Sequence, residues 1–406
     1  MTRPLEGIRI ADFSHVMAGP FATHFLAALG ADVVKIEPPG VGDPMRNYGA
    51  DRRYDGMAPG FIAANCGKRS IVLDLKQPAA KEVARRLIAR ADVVLENFRP
   101  GVMARLGFGY EACKALKDDI VFCSVSGYGQ DGPMRDYPAI DNIVQATSGL
   151  MSLQGEPGGA FMRVGFPAVD TYTGTLAAMA ILAALVRRSA TGEGQHIDVS
   201  MLDATMVLMA TAAVPYLVSG KPLERTGNTG YSGQPTAGMF KTKDGASISL
   251  GVVQPVQYER LCAVLERPDL TTDERFRTPD LRRKNAAALT QELAPEFMKR
   301  DGAEWERLLS AAGAPCGMMR DIRQAMELPN LRERGVVVPL HIDGLPDRED
   351  VAAIGAGFIA NEGAPRIDAP PPRLGEHTRT ILAELDYADG EIAALLASGA
   401  AREGGQ

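Results

Sequence analysis

Ile8-Arg9-Ile10-Ala11-Asp12-Phe13, the apolar stretch from Phe21 to Leu29, and Ala31-Asp32-Val33-Val34-Lys35-Ile36 decide the fold. The first and last are apolar, β-branched runs of strand length, and the middle one is Ala-rich and long enough for a helix. Ala18-Gly19-Pro20 opens that helix, because a proline is tolerated in a first turn, where its missing N–H has no partner anyway. Gly30 stands where a helix end needs a left-handed residue. Strand, helix, strand is the building unit of a parallel sheet.

Working outward, the alternation recurs. Lys81 to Arg90 reads as a helix, Ala91 to Leu95 as a strand, Tyr110 to Leu116 as a helix and Ile120 to Val125 as a strand. This predicts an α/β fold with a doubly wound, mostly parallel sheet. Ser14-His15, Glu37-Pro38-Pro39-Gly40, Asn97-Phe98-Arg99-Pro100 and Ser126-Gly127-Tyr128 follow its strands, and a ligand cleft is expected along that edge. Thr171 to Arg188 reads as a long buried helix, His196 to Val199 as a strand and Leu202 to Val218 as one helix.

Composition changes at Gly220. Residues 1–219 are therefore expected to form a large domain, and 220–328 a smaller α+β domain that opens with a glycine-rich loop. Residues 329–406 turn Pro-rich and irregular before a helix at Thr378 to Asp386, and are expected to return to the large domain.

The 406 residues are 46% hydrophobic and 23% charged, the balance of a globular enzyme. A formal charge of -6 gives no global field for nucleic acid or an anionic membrane, so neither is expected as a partner. Five widely spaced cysteines, Cys66, Cys113, Cys123, Cys262 and Cys316, include no CxxC pair and read as reduced thiols. Met1-Thr2-Arg3-Pro4-Leu5-Glu6-Gly7 places an acid where a signal peptide needs its apolar core. No later run is expected to span a bilayer, and the expected location is cytoplasmic.

HExxH, GxSxG and Walker motifs are absent, the five histidines are scattered, and no metal ligand set is expected. Glu37 after the second strand suits a dinucleotide ribose, but the glycine fingerprint is missing from the first turn. Asp170, in Pro167-Ala168-Val169-Asp170-Thr171-Tyr172-Thr173-Gly174, opens a long apolar helix. It suits an N-cap; equally, the positive helix end would favour the ionised form that a carboxylate nucleophile needs. The loop Gly227-Asn228-Thr229-Gly230-Tyr231-Ser232-Gly233 suits either a linker or a mobile flap.

In six ordered blocks the chain resembles the family III CoA-transferases, the group of formyl-CoA transferase and carnitine CoA-transferase (CaiB/BaiF type), and the related α-methylacyl-CoA racemases. The blocks are His15-Val16-Met17-Ala18-Gly19-Pro20, 29–37, 68–74, Glu96-Asn97-Phe98-Arg99-Pro100-Gly101, 127–133 and 191–195. The resemblance implies a CoA-transferase, with coenzyme A and acyl-CoA as substrates rather than a permanently bound cofactor, and a small carboxylic acid as the other substrate. It implies Asp170 as the nucleophile, and Gly227, Gly230 and Gly233 as an active-site loop. It implies coenzyme A contacts at Val16, Ala18, Leu73, Lys76, Asn97, Phe98 and Arg105, and an interlocked homodimer.

Departures narrow the reading. Where the racemases carry a His and a Glu that move an α-proton, this chain has Ile140 and Gln254, which cannot act as bases. Against formyl-CoA transferase, Met17 replaces a Gln, Pro38 an Arg and Pro138 a Lys, so contacts to adenine and phosphate are expected to differ and oxalate is unsupported. The loop Gly230-Tyr231-Ser232-Gly233 more closely resembles that of the transferases acting on small dicarboxylates such as succinate, glutarate, mesaconate and itaconate. Arg52, Arg53 and Arg163 are candidates for a second substrate carboxylate. The alternatives are a racemase-like enzyme and a catalytically silent coenzyme A-binding protein.

Overall fold

The computed structural model describes residues 2–49, 51–230 and 232–404. Among them twelve strands form three sheets: β1 Arg9–Asp12, β2 Asp32–Glu37, β3 Arg69–Leu73, β4 Val93–Glu96, β5 Val121–Ser126, β6 Gln195–Ser200, β7 Met239–Lys241, β8 Ser247–Leu250, β9 Cys316–Met318, β10 Val337–His341, β11 Asp350–Ile354 and β12 Ala401–Arg402. The helices needed here are α1 Ala18–Ala28, α2 Pro59–Asn65, α3 Pro78–Arg90, α4 Val102–Leu106, α5 Tyr110–Leu116, α6 Asp141–Thr147, α7 Ala168–Thr191, α8 Met201–Leu208, α9 Ala210–Ser219 and α10 Pro255–Val264.

The main sheet runs β12-β3-β2-β1-β4-β5-β6, and every pairing is parallel except β12 with β3. The mixed α/β architecture with a large, mostly parallel sheet is thus as the sequence predicts. The order reverses between β1 and β4, and in open sheets of this kind the crevice outside the strand ends at that reversal is where ligands bind.

β2, β4 and β5 are buried almost throughout because helices cover both faces of the sheet. Ile10, Val33, Val93, Leu95 and Val121 pack on one face with Ala22 and Leu26 of α1 and Ala177, Ile181 and Ala184 of α7. Phe13, Ile36, Ile71 and Phe122 pack on the other with Val83 and Leu87 of α3 and with Ile381, Leu382 and Ile392 of the helices Thr378–Glu384 and Asp389–Ala397. Gly30 has a φ of +106° just beyond α1, the left-handed stop expected.

The chain divides into two compact units, residues 1–151, 163–222 and 329–406, and residues 152–162 and 223–328. Sequence placed 152–162 with the first domain. The structure groups it with the second, where Arg225 reaches back to the carbonyl of Ala160 at 2.7 Å. The second unit holds the antiparallel sheet β7-β8-β9, packed on a core containing Phe240, Leu261, Phe297 and Trp305.

Three further expectations are corrected. The helix predicted over 202–218 is two, α8 and α9, bent by 80° near Met209. The helix from Thr171 is longer, 24 residues, and is apolar enough to cross a membrane by length and composition, contrary to the expectation that no run is. Only one of its faces is buried: Thr173, Gly174, Ala177, Ala178, Ile181, Ala184 and Leu185 point inward while Met179 and Val186 are exposed. Finally, the stretch after Leu328 contains the antiparallel hairpin β10–β11 rather than irregular chain.

Candidate active site

The chain beyond β1 turns at the sheet's reversal point. Asn97, just past β4, brackets it: its amide carbonyl accepts from the N–H of His15 at 2.8 Å and its amide N–H donates to the carbonyl of His15 at 2.7 Å. The ring of Phe98 lies 5.1 Å from that of His15. Val16 follows with a φ of +66°, a conformation that a β-branched residue rarely adopts. Its N–H is held by the Asp43 carboxylate at 3.0 Å. The structure therefore brings together Val16, Ala18, Asn97 and Phe98, four of the expected ligand contacts, at the topological switch point. Strained backbone of this kind clusters at ligand sites.

A buried charge network holds this turn from below. Lys35 pairs with Asp43 at 2.8 Å and donates to the carbonyl of Ser14, and Lys68 pairs with Asp12 at 3.2 Å. Burial opposes the ionisation of Asp12, but Lys68 and Lys35 pull its carboxyl down to about 2. Glu37 is fully buried, accepting from Arg46 at 2.6 and 2.7 Å and from the Ser70 hydroxyl. An acid so engaged cannot receive a ribose, which removes the dinucleotide reading by geometry.

Asp170 lies in the first turn of α7, and it is not the cap. Asp141, at the start of α6, accepts from the backbone N–H of Val169 at 2.8 Å and of Asp170 at 3.1 Å, and is itself held by Gln145 at 2.7 Å. The half-buried Asp170 carboxylate has no hydrogen-bond partner among the described residues. Burial, reinforced by the Asp141 charge, pushes it up to about 7. The sequence expectation that the helix end would favour its ionised form is thereby reversed: a neighbouring carboxylate has taken the N–H groups that would stabilise it.

One turn further on the same face, Gly174 touches α1. A methyl group built there would stand 2.5 Å from the carbonyl oxygen of Ala18. Residues four apart share a helix face, so Asp170 opens α7 on the side that meets the start of α1.

The remaining expected residues are placed less closely. Leu73 is 1% exposed in the core, so that position offers a ligand only main chain. Lys76 and Arg105 are exposed and have no acidic partner within 4 Å among the described residues. Gly227 and Gly233 have φ of +58° and +62°, and the N–H of Gly230 donates to Ala237 at 2.6 Å; this loop belongs to the second unit, and Tyr231 lies outside the described residues. Arg52, Arg53 and Arg163 are all exposed, and Arg53 is paired with Asp51 at 2.9 Å. Ile140 precedes α6 and Gln254 is the N-cap residue of α10.

Sequence reading passed over Asp141, Asp43 and Glu96. Asp141 was visible beside Ile140, but only folding brings it to residues 169 and 170. Glu96 is buried at the end of β4, accepting from the Phe98 N–H at 2.8 Å, and burial pushes it up to about 7. The scattered histidines also need a correction: His341 comes together with Asp343 and Glu349, with ligand atoms within 4.8 Å of one another. All three are exposed, and the Asp350 and Asp343 carboxylates, within hydrogen-bond distance of the two ring nitrogens, raise the pKa of the imidazole. The five cysteines are unpaired thiols, four of them buried.

Comparison with known proteins agrees with this geometry. The profile of the family described as CoA-transferase family III matches residues 5–378. Succinate–glutarate CoA-transferase of Agrobacterium fabrum is 37% identical over 94% of this chain and 96% of its own length. Acetyl-CoA:oxalate CoA-transferase of Acetobacter aceti is 36% identical over 90% and 93%. The crystal structure of a CAIB/BAIF family protein from Brucella suis superposes with a TM-score of 0.85 at 32% identity, covering 95% of this chain and all of that one. A strained turn at the switch point, an acid freed from capping at the start of the half-buried α7, and likeness over nearly the whole length lead to one assignment: the chain belongs to CoA-transferase family III.

Proposed function

We propose that the protein moves coenzyme A from an acyl-CoA to a free carboxylic acid, with Asp170 as covalent nucleophile. The observation that carries this is the Asp170 carboxylate, which has no hydrogen-bond partner because Asp141 occupies the helix N–H groups beside it. A carboxylate stripped of donors attacks better than a solvated one, and once ionised it needs no separate base. Its oxygen adds to the donor thioester, the C–S bond breaks, and coenzyme A leaves as thiolate from an aspartyl anhydride. The thiolate returns to the aspartyl carbonyl, expelling the donor acid and leaving an aspartyl-CoA thioester. The acceptor carboxylate then attacks that thioester and the two steps run in reverse. Breaking one thioester while making another keeps the exchange near thermoneutral.

Val16, Ala18, Asn97 and Phe98 are proposed to seat the coenzyme, with Lys76 and Arg105 on its phosphates. Excluding water from the anhydride is the task proposed for the loop of Gly227, Gly230 and Gly233. Relatives named for succinate, glutarate and oxalate support a small dicarboxylic acid as one substrate. We also propose a homodimer of interlocked copies. In support, α9 has no buried residue, and its Leu217 and Val218 are 77% and 83% exposed, apolar surface that a second copy would cover. Unpaired buried thiols fit a reducing compartment such as the cytoplasm.

The test is incubation with succinyl-CoA and a panel of acids, a hydroxylamine or borohydride quench, and peptide mass spectrometry. Donor-dependent modification confined to Asp170, abolished in Asp170→Ala, is expected. Coenzyme A binding without any such modification would leave the silent binding protein as the reading.

A further inference from the structure

We infer that Arg135 pairs with Arg105 to grip a phosphate group of coenzyme A, supplying the cation that Pro138 cannot; this rests on the function proposed above. Sequence comparison leaves a gap here, because the chain has proline where the resemblance expects a lysine. Arg135 stands three residues earlier in the same loop, the one that leaves β5. That loop is closed at its base and braced inside. Gly127 meets Ala139 so tightly that a methyl group on it would stand 2.2 Å from the Ala139 side chain. Tyr128 and Tyr137 meet edge to face at 6.2 Å, and the N–H of Arg135 donates to the carbonyl of Gly132.

The braced loop sends Arg135 toward the neighbouring one, which leaves β4 through Asn97-Phe98-Arg99-Pro100-Gly101. A methyl group built on Gly101 would stand 3.2 Å from Nη1 of Arg105 and 3.8 Å from Nη2 of Arg135. The two guanidinium nitrogens are therefore no further apart than the sum of those distances, within reach of oxygens on a single phosphate. Neither has a carboxylate within 4 Å among the described residues. Like charges held together without an acid call for an anionic ligand, and paired guanidiniums match phosphate geometry. Lys76 follows β3, three strand positions from β4 and roughly 14 Å away along the sheet edge. That separation suits two different phosphate groups of one extended molecule.

Isothermal titration calorimetry of the full chain with coenzyme A and with dephospho-coenzyme A tests the pair. Arg135→Gln and Arg105→Gln are each expected to weaken coenzyme A about tenfold or more, while Arg85→Gln on α3 changes nothing. A loss confined to coenzyme A assigns the 3′-phosphate, and a loss shared with the dephospho form assigns the pyrophosphate; either supports the pair. Unchanged affinity in Arg135→Gln beside a loss in Arg105→Gln would overturn it and leave Asp170 chemistry intact. Conversely, weakened binding in both variants with no adduct at Asp170 would sustain the pair and sink the covalent mechanism.

Discussion

Asp141 caps the helix that carries Asp170, taking the N–H of Asp170 itself at 3.1 Å. The two acids share one helix end in unequal roles, one saturated with donors and the other deprived of them. Environment, not residue type, separates their chemistry.

The activity should register that arrangement. Attack requires ionised Asp170, whose carboxyl sits at about 7, so turnover should rise with pH through neutrality. Asp141→Asn keeps an acceptor for the helix N–H groups but removes a charge that holds Asp170 high. The midpoint of the kcat/KM profile is expected to move downward. A profile that does not move would show that Asp141 acts only on structure.

Stability should respond in the opposite sense to the usual carboxylate. An unfolded aspartic acid ionises at about 3.9, whereas folded Asp170 keeps its proton to about 7. Across that window the folded chain binds more protons, so stability falls as pH rises. Asp170→Asn should therefore abolish turnover yet raise the thermal midpoint above pH 7 by about 2 °C or more, the difference vanishing near pH 3.5. Calorimetry at pH 8 and at low pH checks this.

Gly174→Ala should be far more damaging than its size suggests. The added methyl meets a carbonyl oxygen of α1 at 2.5 Å, and backbone cannot swing away as a side chain can. A loss of about 1–3 kcal/mol is expected in denaturant titration, with reduced turnover. Gly390→Ala, where nothing lies within 4 Å, should stay within about 0.5 kcal/mol.

Val16→Gly should do the reverse. A left-handed β-branched residue costs about 1–2 kcal/mol, and glycine adopts φ of +66° freely. Unfolding free energy is expected to rise by about 1 kcal/mol. A fall would mean that packing of the Val16 side chain outweighs its strain.

Racemase activity is expected to be absent. Ile140 and Gln254 carry no proton-transfer group, so a 2-methylacyl-CoA incubated in deuterated water should acquire no deuterium at its α-carbon by NMR.

The sheet was legible because its strands are fully buried and read as short apolar runs such as Val93 to Leu95, each followed by a helix pattern. The reversal of strand order was not, since nothing local in Asp12 or Glu96 records which neighbours they acquire. Asp170 stood out as an acid on an apolar helix, but the helix cap comes from Asp141, 29 residues away, and sequence physics alone left Asp170 open between cap and nucleophile. The break at Met209 was hidden because the sequence around it, Met206 to Ala210, is continuously apolar and Pro215 lies past the bend. That the Leu73 side chain lies in the core was not legible, because a strand's last residue can end in core or in cleft, and only pairing with β12 and packing decide it.

β12 has one more consequence. Synthesis runs from the N-terminal side, and the strand that completes the β3 edge is made after every other strand of the three sheets. Residues 223–328 can close their own small sheet as soon as they emerge, for β7, β8 and β9 pair only with one another. The large sheet cannot: its β3 edge and part of one helical layer wait for residues 378–402. The nascent chain must therefore carry a half-covered apolar sheet past the completion of its second unit, an interval in which chaperone contact and aggregation compete.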